Sequence, residues 1–429
     1  MAARRRMATG GGIGGGQPGV TGERKPAVVA SLLVTNIGQL VTGDPRLPAP
    51  GVVEGAALAA SGDRIAYAGP TSGLDVATGP DTIEVDAHGA AVIPGFVDAH
   101  THLVWLGERS EEYALRAGGA SYEEIAEKGG GIRSTVAATA AGTVEDLATA
   151  ARERARRMLR LGTTTVEIKS GYGQSLEAEL RQLRAARALG EQADLPDVVT
   201  TYLPLHGLPD GDRVEYLEGV LHEGLRAAAP LAGFVDCFCE TGAWGVDECE
   251  RLLVAAREHG LRAKVHADQR SHSGGSALAA RVGAVSADHL DHADDEDLRA
   301  LAVAGVAGVL LPGAAMVLGG APPPGRRLLE AGATVALATD CNPGTCWCES
   351  MPLMVALGVA TAGRTPAEAL TAATAGGAAA LGLSDRGRLL PGLRCDALVL
   401  ETPRWLDVGY HLGANPVAQV IAAGRLVRR

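Results

Sequence analysis

Between residues 91 and 340, short apolar runs rich in Val, Ile and Thr alternate with helical stretches of Ala, Leu, Arg and Glu. Eight such runs can be read: AVIPGFVDAH, TTTVEIKS, VVTTYLPLH, FVDCFCE, RAKVHAD, AVSADHL, VAGVLLP and TVALATD. Helices such as VEDLATAARERARRMLRLG and VDECERLLVAAREHG lie between them. Parallel strands need such crossovers, and eight in succession describe an α/β chain closed into a TIM (β/α)8 barrel rather than an open doubly wound sheet. No G-x-G-x-x-G opens a helix after a strand, so a dinucleotide site lacks its fingerprint.

The ends of the 429-residue chain read differently. VVASLLVTNI, AALAASGDRIAYAGP and DTIEVDAHG are β-like pieces separated by Gly, Pro and Asp turns, and RCDALVLE and PVAQVIAAGRLV repeat the pattern near the end. The expected division is a disordered leader over 1–25, a small composite β-sandwich built from 26–92 plus 390–429, and the barrel over 93–389. The leader has the arginines of a signal peptide, but a glycine run stands where the apolar segment would be.

A net charge of −11 argues against a nucleic-acid or anionic-membrane surface. No run of about 18 uncharged apolar residues suggests a membrane span. The expected partner is a small anionic substrate, which in an acidic protein needs a local basic group. Seven cysteines, an odd number without an export signal, fit reduced thiols in the cytoplasm. Cys237/Cys239 and Cys346/Cys348 are C-x-C pairs and lack the two-residue gap of most structural zinc sites.

The polar residues at the strand ends carry the chemistry. The first run ends in Asp98-Ala99-His100-Thr101-His102, and residues two apart on a strand share a face. The fifth ends at His266, the sixth at His289 and the eighth at Asp340. Barrel chemistry sits at these C-terminal ends, and closure sets the eighth strand beside the first. Three imidazoles and a carboxylate with one open position suit a catalytic metal, which acidifies water toward a pKa of about 7. An isolated H-x-H arises by chance; its agreement with three further strand ends does not.

At PGFVDAHTHLVW the chain resembles the amidohydrolase superfamily. GERSEEYALRAGGASYEEIAEKGGGIRST, TTTVEIKSGYG, VHADQ, SADHLDH and ATDCNPGTCWCESM resemble the imidazolonepropionase family within it, from about Pro94 to Met351. That resemblance implies hydrolysis of 4-imidazolone-5-propanoate, a cyclic amide with a carboxylate tail, to N-formimino-L-glutamate. It makes His100, His102, His266 and Asp340 ligands of one divalent or trivalent ion, zinc or iron. It makes Arg109, Tyr122, Tyr172, His206, Gln269, Asn342, Gly344 and Thr345 substrate contacts. His289 would touch the hydrolytic water or the substrate carbonyl, and with Asp340 it is the candidate to move the proton. A homodimer is common among such relatives.

The chain departs from the family pattern at Gln269, where many members carry a carboxylate, and in the looser wording of TYLPLHGLP around His206. An amide cannot act as a base but can still hydrogen-bond the ring. Gly129-Gly130-Gly131 lacks the Lys-Ser/Thr of a phosphate loop and reads instead as a flexible cover of the barrel mouth. Two rival readings are a nucleobase-type deaminase, which has no need of Arg109 for a carboxylate, and an inactive barrel serving as a binding protein, which would be expected to lose metal ligands.

Overall fold

The structure, a computed structural model, describes residues 28–119 and 130–427. These open with five strands: β1 (Val29–Val41), β2 (Val52–Ser61), β3 (Arg64–Pro70), β4 (Ala77–Asp86) and β5 (Ala91–Pro94). Next come β6 (Phe96–Asp98), β7 (Thr163–Lys169), β8 (Asp197–Leu205) and β9 (Phe234–Cys239). They are followed by β10 (Arg262–Ala267), β11 (Ser286–His289), β12 (Ala307–Leu310) and β13 (Val335–Leu337). The last are β14 (Ala397–Leu400), β15 (Val417–Ala422) and β16 (Arg425–Val427).

Strands β6 to β13 pair in chain order, every pair parallel. The seam between β13 and β6 closes just past both strands. There Asp340 N–H donates to the His100 carbonyl (3.1 Å) and His102 N–H to the Cys341 carbonyl (3.0 Å). Asp98 ties the same seam lower down, accepting from the Thr339 hydroxyl at 2.6 Å and its N–H at 3.1 Å. The eight expected strands therefore form the expected barrel, and the hydrogen bonds that close it pass through His100, His102 and Asp340.

The helix Val144–Arg160 shows how the outer layer is specified. Thr143 accepts the Asp146 N–H while Asp146 accepts the Thr143 N–H, and acidic residues begin the helix while Arg157 and Arg160 end it. Its inner stripe of Leu147, Ala151, Ala155, Met158 and Leu159 is buried.

The two chain ends meet as the sequence suggests. β5 lies between β1 and β14, with Leu398 opposite Ile93 and Val399 opposite Val92, in a second eight-stranded sheet. Leu32, Val34, Leu58, Ile65, Val399 and Ile421, drawn from both ends, share one core. The run AVIPGFVDAH, read as one strand, divides at Gly95: β5 belongs to the end sheet and β6 to the barrel. A Cβ at Gly95 would stand 2.3 Å from Thr164 Oγ1, so only glycine allows the crossing. Among the described residues no helix is long and apolar enough to cross a membrane.

Candidate metal centre

Thr101 orients the two histidines beside it. Its N–H donates to Glu167 Oε2 (3.1 Å) and its hydroxyl to the Glu167 carbonyl (2.6 Å), so the flanking imidazoles turn together to the other side. Arg154 donates to the Leu103 and Trp105 carbonyls at 3.0 Å each and lies 3.4 Å over the Trp105 ring, fixing the chain just beyond His102.

Asp340 Oδ1 is 3.6 Å from Nε2 of both His100 and His102, and His102 Nε2 is 3.3 Å from His266 Nε2. These four side chains are buried. His100 Nδ1 lies 2.6 Å from Asp288 Oδ2, an acceptor, so the ring proton sits there and Nε2 presents a lone pair. That Nε2 is buried with no hydrogen-bond partner among the described residues. Burial holds His100 and His102 well below the ordinary imidazole value and raises the Asp340 carboxyl to about 7. The neutral imidazoles of His100 and His102, gathered with His266 and a buried carboxylate, are donors of the kind that suit a cation. Possible ligand triads overlap here as His100–His266–His289, His102–His206–His266 and His100–His102–Asp340. His100, His102 and His266 each belong to two of these.

The remaining sequence candidates surround this centre. His289 is buried with Nδ1 unpartnered among the described residues, its ring 5.4 Å from that of His266. Burial keeps it neutral. His289 (φ 80°) and Asp340 (φ 51°) both adopt the left-handed region, a cost of about 1–3 kcal/mol each that tertiary contacts must offset. His206 stacks on His102 (4.8 Å between ring centres, 15° between planes), with Nδ1 3.1 Å from the Gly171 carbonyl. Burial pushes it down to about 3. Tyr172 packs against both rings, and burial together with the Asp340 carboxylate keeps its phenol protonated. Gln269 is half-buried just past β10. Tyr122 and Gly129 lie outside the described residues.

The loop after Asp340 is wound around Asn342. Its Oδ1 accepts the Gly344 and Thr345 N–H groups at 2.8 Å each, and its Nδ2 donates to the Asp340 carbonyl and Thr345 Oγ1 at 2.7 Å each. Every hydrogen-bonding position of that amide is filled within the loop. Thr345 Oγ1 in turn lies 3.4 Å from Asp340 Oδ2. Arg109 reaches the same loop, for a Cβ on Gly344 would stand 2.2 Å from its NH1.

Comparison with known proteins bears on what this centre serves. Residues 91–427 match the model of the Amidohydrolase family. The imidazolonepropionase of Rubrobacter xylanophilus is 48% identical over 377 residues, 87% of this chain and 91% of that one. That of Symbiobacterium thermophilum is 46% identical over 412 residues, 92% of this chain and 97% of that one. This chain belongs to the imidazolonepropionase family of amidohydrolases. More distant solved structures share the fold. A 5-methylcytosine deaminase of Klebsiella pneumoniae has a TM-score of 0.70 at 20% identity, over 92% of this chain and 98% of that one. A Xanthomonas campestris adenosine deaminase with bound zinc has a TM-score of 0.66 at 22% identity, over 94% and 93%. Amidohydrolases are metal-dependent, in keeping with the buried His and Asp cluster.

Beneath the centre of this imidazolonepropionase relative lies a layer of charge that sequence reasoning missed. Lys169 Nζ stands 2.8 Å from both Glu167 Oε1 and Asp236 Oδ2 and 3.7 Å from Asp288 Oδ2, all four side chains 0% exposed. Asp236 Oδ2 is 3.0 Å from His266 Nδ1, although out of line for a hydrogen bond. Lys264, opposite Ser286 in the strand register, donates to its hydroxyl at 2.6 Å and lies 3.4 Å from Asp288. The signal was present: acid and ammonium two residues apart on a fully buried strand, TTTVEIK, share a face and must find partners inside the barrel.

Proposed function

We propose that this chain hydrolyses the ring amide of 4-imidazolone-5-propanoate to N-formimino-L-glutamate, with His100, His102, His266 and Asp340 holding one zinc or iron ion. The observation that carries the reading is one loop joining two recognition elements. It begins at Asp340 in the His cluster and ends at Gly344 beneath the Arg109 guanidinium. A substrate with a reactive carbonyl at one end and a carboxylate at the other spans such a pair.

When bound, the ion supplies Lewis acidity toward water and the ring carbonyl. The protein's own groups do the rest. Asp340 Oδ1 faces the imidazoles, while Oδ2 makes a long contact to Thr345 at 3.4 Å and is the oxygen that takes the water proton and passes it to the leaving ring nitrogen. Water oxygen bonds to the carbonyl carbon, the ring C–N bond breaks, and that nitrogen gains the proton. His289, neutral and lacking a partner at Nδ1 among the described residues, hydrogen-bonds the water or the carbonyl. His206, with its proton directed at Gly171, offers Nε2 as an acceptor to a ring N–H, and the Tyr172 phenol is a donor. Gln269 contributes a hydrogen bond and no proton transfer. Asn342 and Thr345 shape the pocket, and Tyr122 completes the substrate contacts. The protein acts in the cytoplasm as a homodimer.

Steady-state turnover tests this. The wild type releases formiminoglutamate without ammonia; ammonia release from a nucleobase ring instead would favour a deaminase. Arg109→Ala raises KM about 100-fold with a smaller change in kcat, because a charge-assisted bidentate contact is lost. An unaltered KM would remove Arg109 from substrate binding.

A further inference from the structure

We propose that Glu112 is a positioning residue that sets the direction in which Arg109 receives the substrate carboxylate; this rests on the Arg109 reading above. Arg109 caps the helix Ser110–Ala117 and Glu112 lies in its first turn, three residues on, so the two side chains meet on one face. Arg109 Nε donates to Glu112 Oε2 at 2.8 Å, and NH2 makes a second, shorter bond to Oε1. Glu112 therefore grips the side edge of the guanidinium, Nε with NH2. Both side chains are about nine-tenths buried, at 11% and 10% exposed, so this is not a solvated surface pair.

Glu112 is itself anchored, since Oε2 also accepts the Gly131 N–H at 2.8 Å. The far end of the guanidinium is fixed by shape, NH1 lying where a Cβ of Gly344 would be. Gly344 cannot drift, because Asn342 Oδ1 holds its N–H at 2.8 Å and Arg116 NH1 donates to its carbonyl at 3.2 Å. Among the described residues Arg109 makes no other side-chain hydrogen bond, so NH1 and the second hydrogen of NH2 form a free end-on fork. That fork is bidentate and carboxylate-sized. Because Gly344 and Asp340 share one loop, its distance from the metal centre is preset, which selects the length of the chain between ring and carboxylate. A carboxylate merely competing for Arg109 would block the end-on fork, and Glu112 does not.

The test compares the natural substrate with 5-ethyl-4-imidazolone, which keeps the ring and lacks the carboxylate. In Glu112→Gln the ratio of kcat/KM for substrate to that for analogue falls about 10- to 100-fold, with the loss carried by KM. Arg109→Ala lowers the ratio at least as far, and the double variant falls no further than Arg109→Ala alone. Turnover of the analogue shows that each variant is folded. An equal loss on both compounds makes Glu112 merely structural, and a lower KM in Glu112→Gln makes it a competitor; either overturns the proposal. Additive losses in the double variant overturn it too. If Arg109→Ala leaves the ratio intact, the Arg109 reading fails first and this one with it.

Discussion

Asp340→Ala abolishes hydrolysis, with turnover falling on the order of 10³-fold or more, and the purified variant loses stoichiometric metal. The size of the effect follows from two roles in one carboxylate. Oδ1 stands 3.6 Å from two imidazole nitrogens, and in the proposed mechanism it is the anionic donor while Oδ2 carries the proton. Alanine removes both, while the loop that presents Gly344 to Arg109 stays held by Asn342. Metal content by elemental analysis and turnover of the imidazolone are measured on the same preparation. Full activity in Asp340→Ala would undo the mechanism.

The second large effect is on stability. Lys169→Met removes the ammonium around which Glu167, Asp236 and Asp288 gather, leaving the buried Glu167 and Asp236 carboxylates without their nearest counter-charge, while Asp288 keeps Lys264. Breaking a buried pair from one side costs about 3–5 kcal/mol. We expect a fall in melting temperature on the order of 10 °C. The pH dependence has a definite sign. In the folded wild type, the Lys169 ammonium 2.8 Å away works against burial in holding Asp236 well below the ordinary carboxylate value, so pairing contributes stability above the unfolded pKa of about 3.9 that is lost as pH falls. Without the ammonium, the folded carboxylates take up protons more readily than before. The deficit of the variant is therefore largest near neutrality and narrows toward acid pH. Melting curves from pH 5 to 8 decide this, and a deficit that widens in acid would contradict the buried network.

How far the molecule could be read in advance depends on where each signal resides. The barrel was legible because alternation of apolar runs and helices is local, and so was the pairing of His100 with His102, since a period of two is a property of any strand. The union of the chain ends was suggested by composition, and the pairing of Ile93 with Leu398 confirms it. The split of AVIPGFVDAH was not legible. Pro94-Gly95 marks a turn, but which sheet each half joins depends on partners such as Thr164, about seventy residues away in sequence. Likewise, the left-handed backbone of His289 and Asp340 is imposed by tertiary contacts on residues with no strong preference for it. Asn342 read as part of a pocket motif; that its amide is filled by its own loop only coordinates can show. Glu112 read as one acid among several in GERSEEY, and its hold on Arg109 depends on burial that spacing cannot reveal.

Anomalous X-ray diffraction from crystals of the purified protein tests directly whether one ion is held by these four side chains. Data collected at the zinc and iron absorption edges should show a single strong peak about 2.0–2.2 Å from His100 Nε2, His102 Nε2, His266 Nε2 and Asp340 Oδ1. A peak elsewhere, such as beside His272 and Asp297, with none between these four atoms would contradict it.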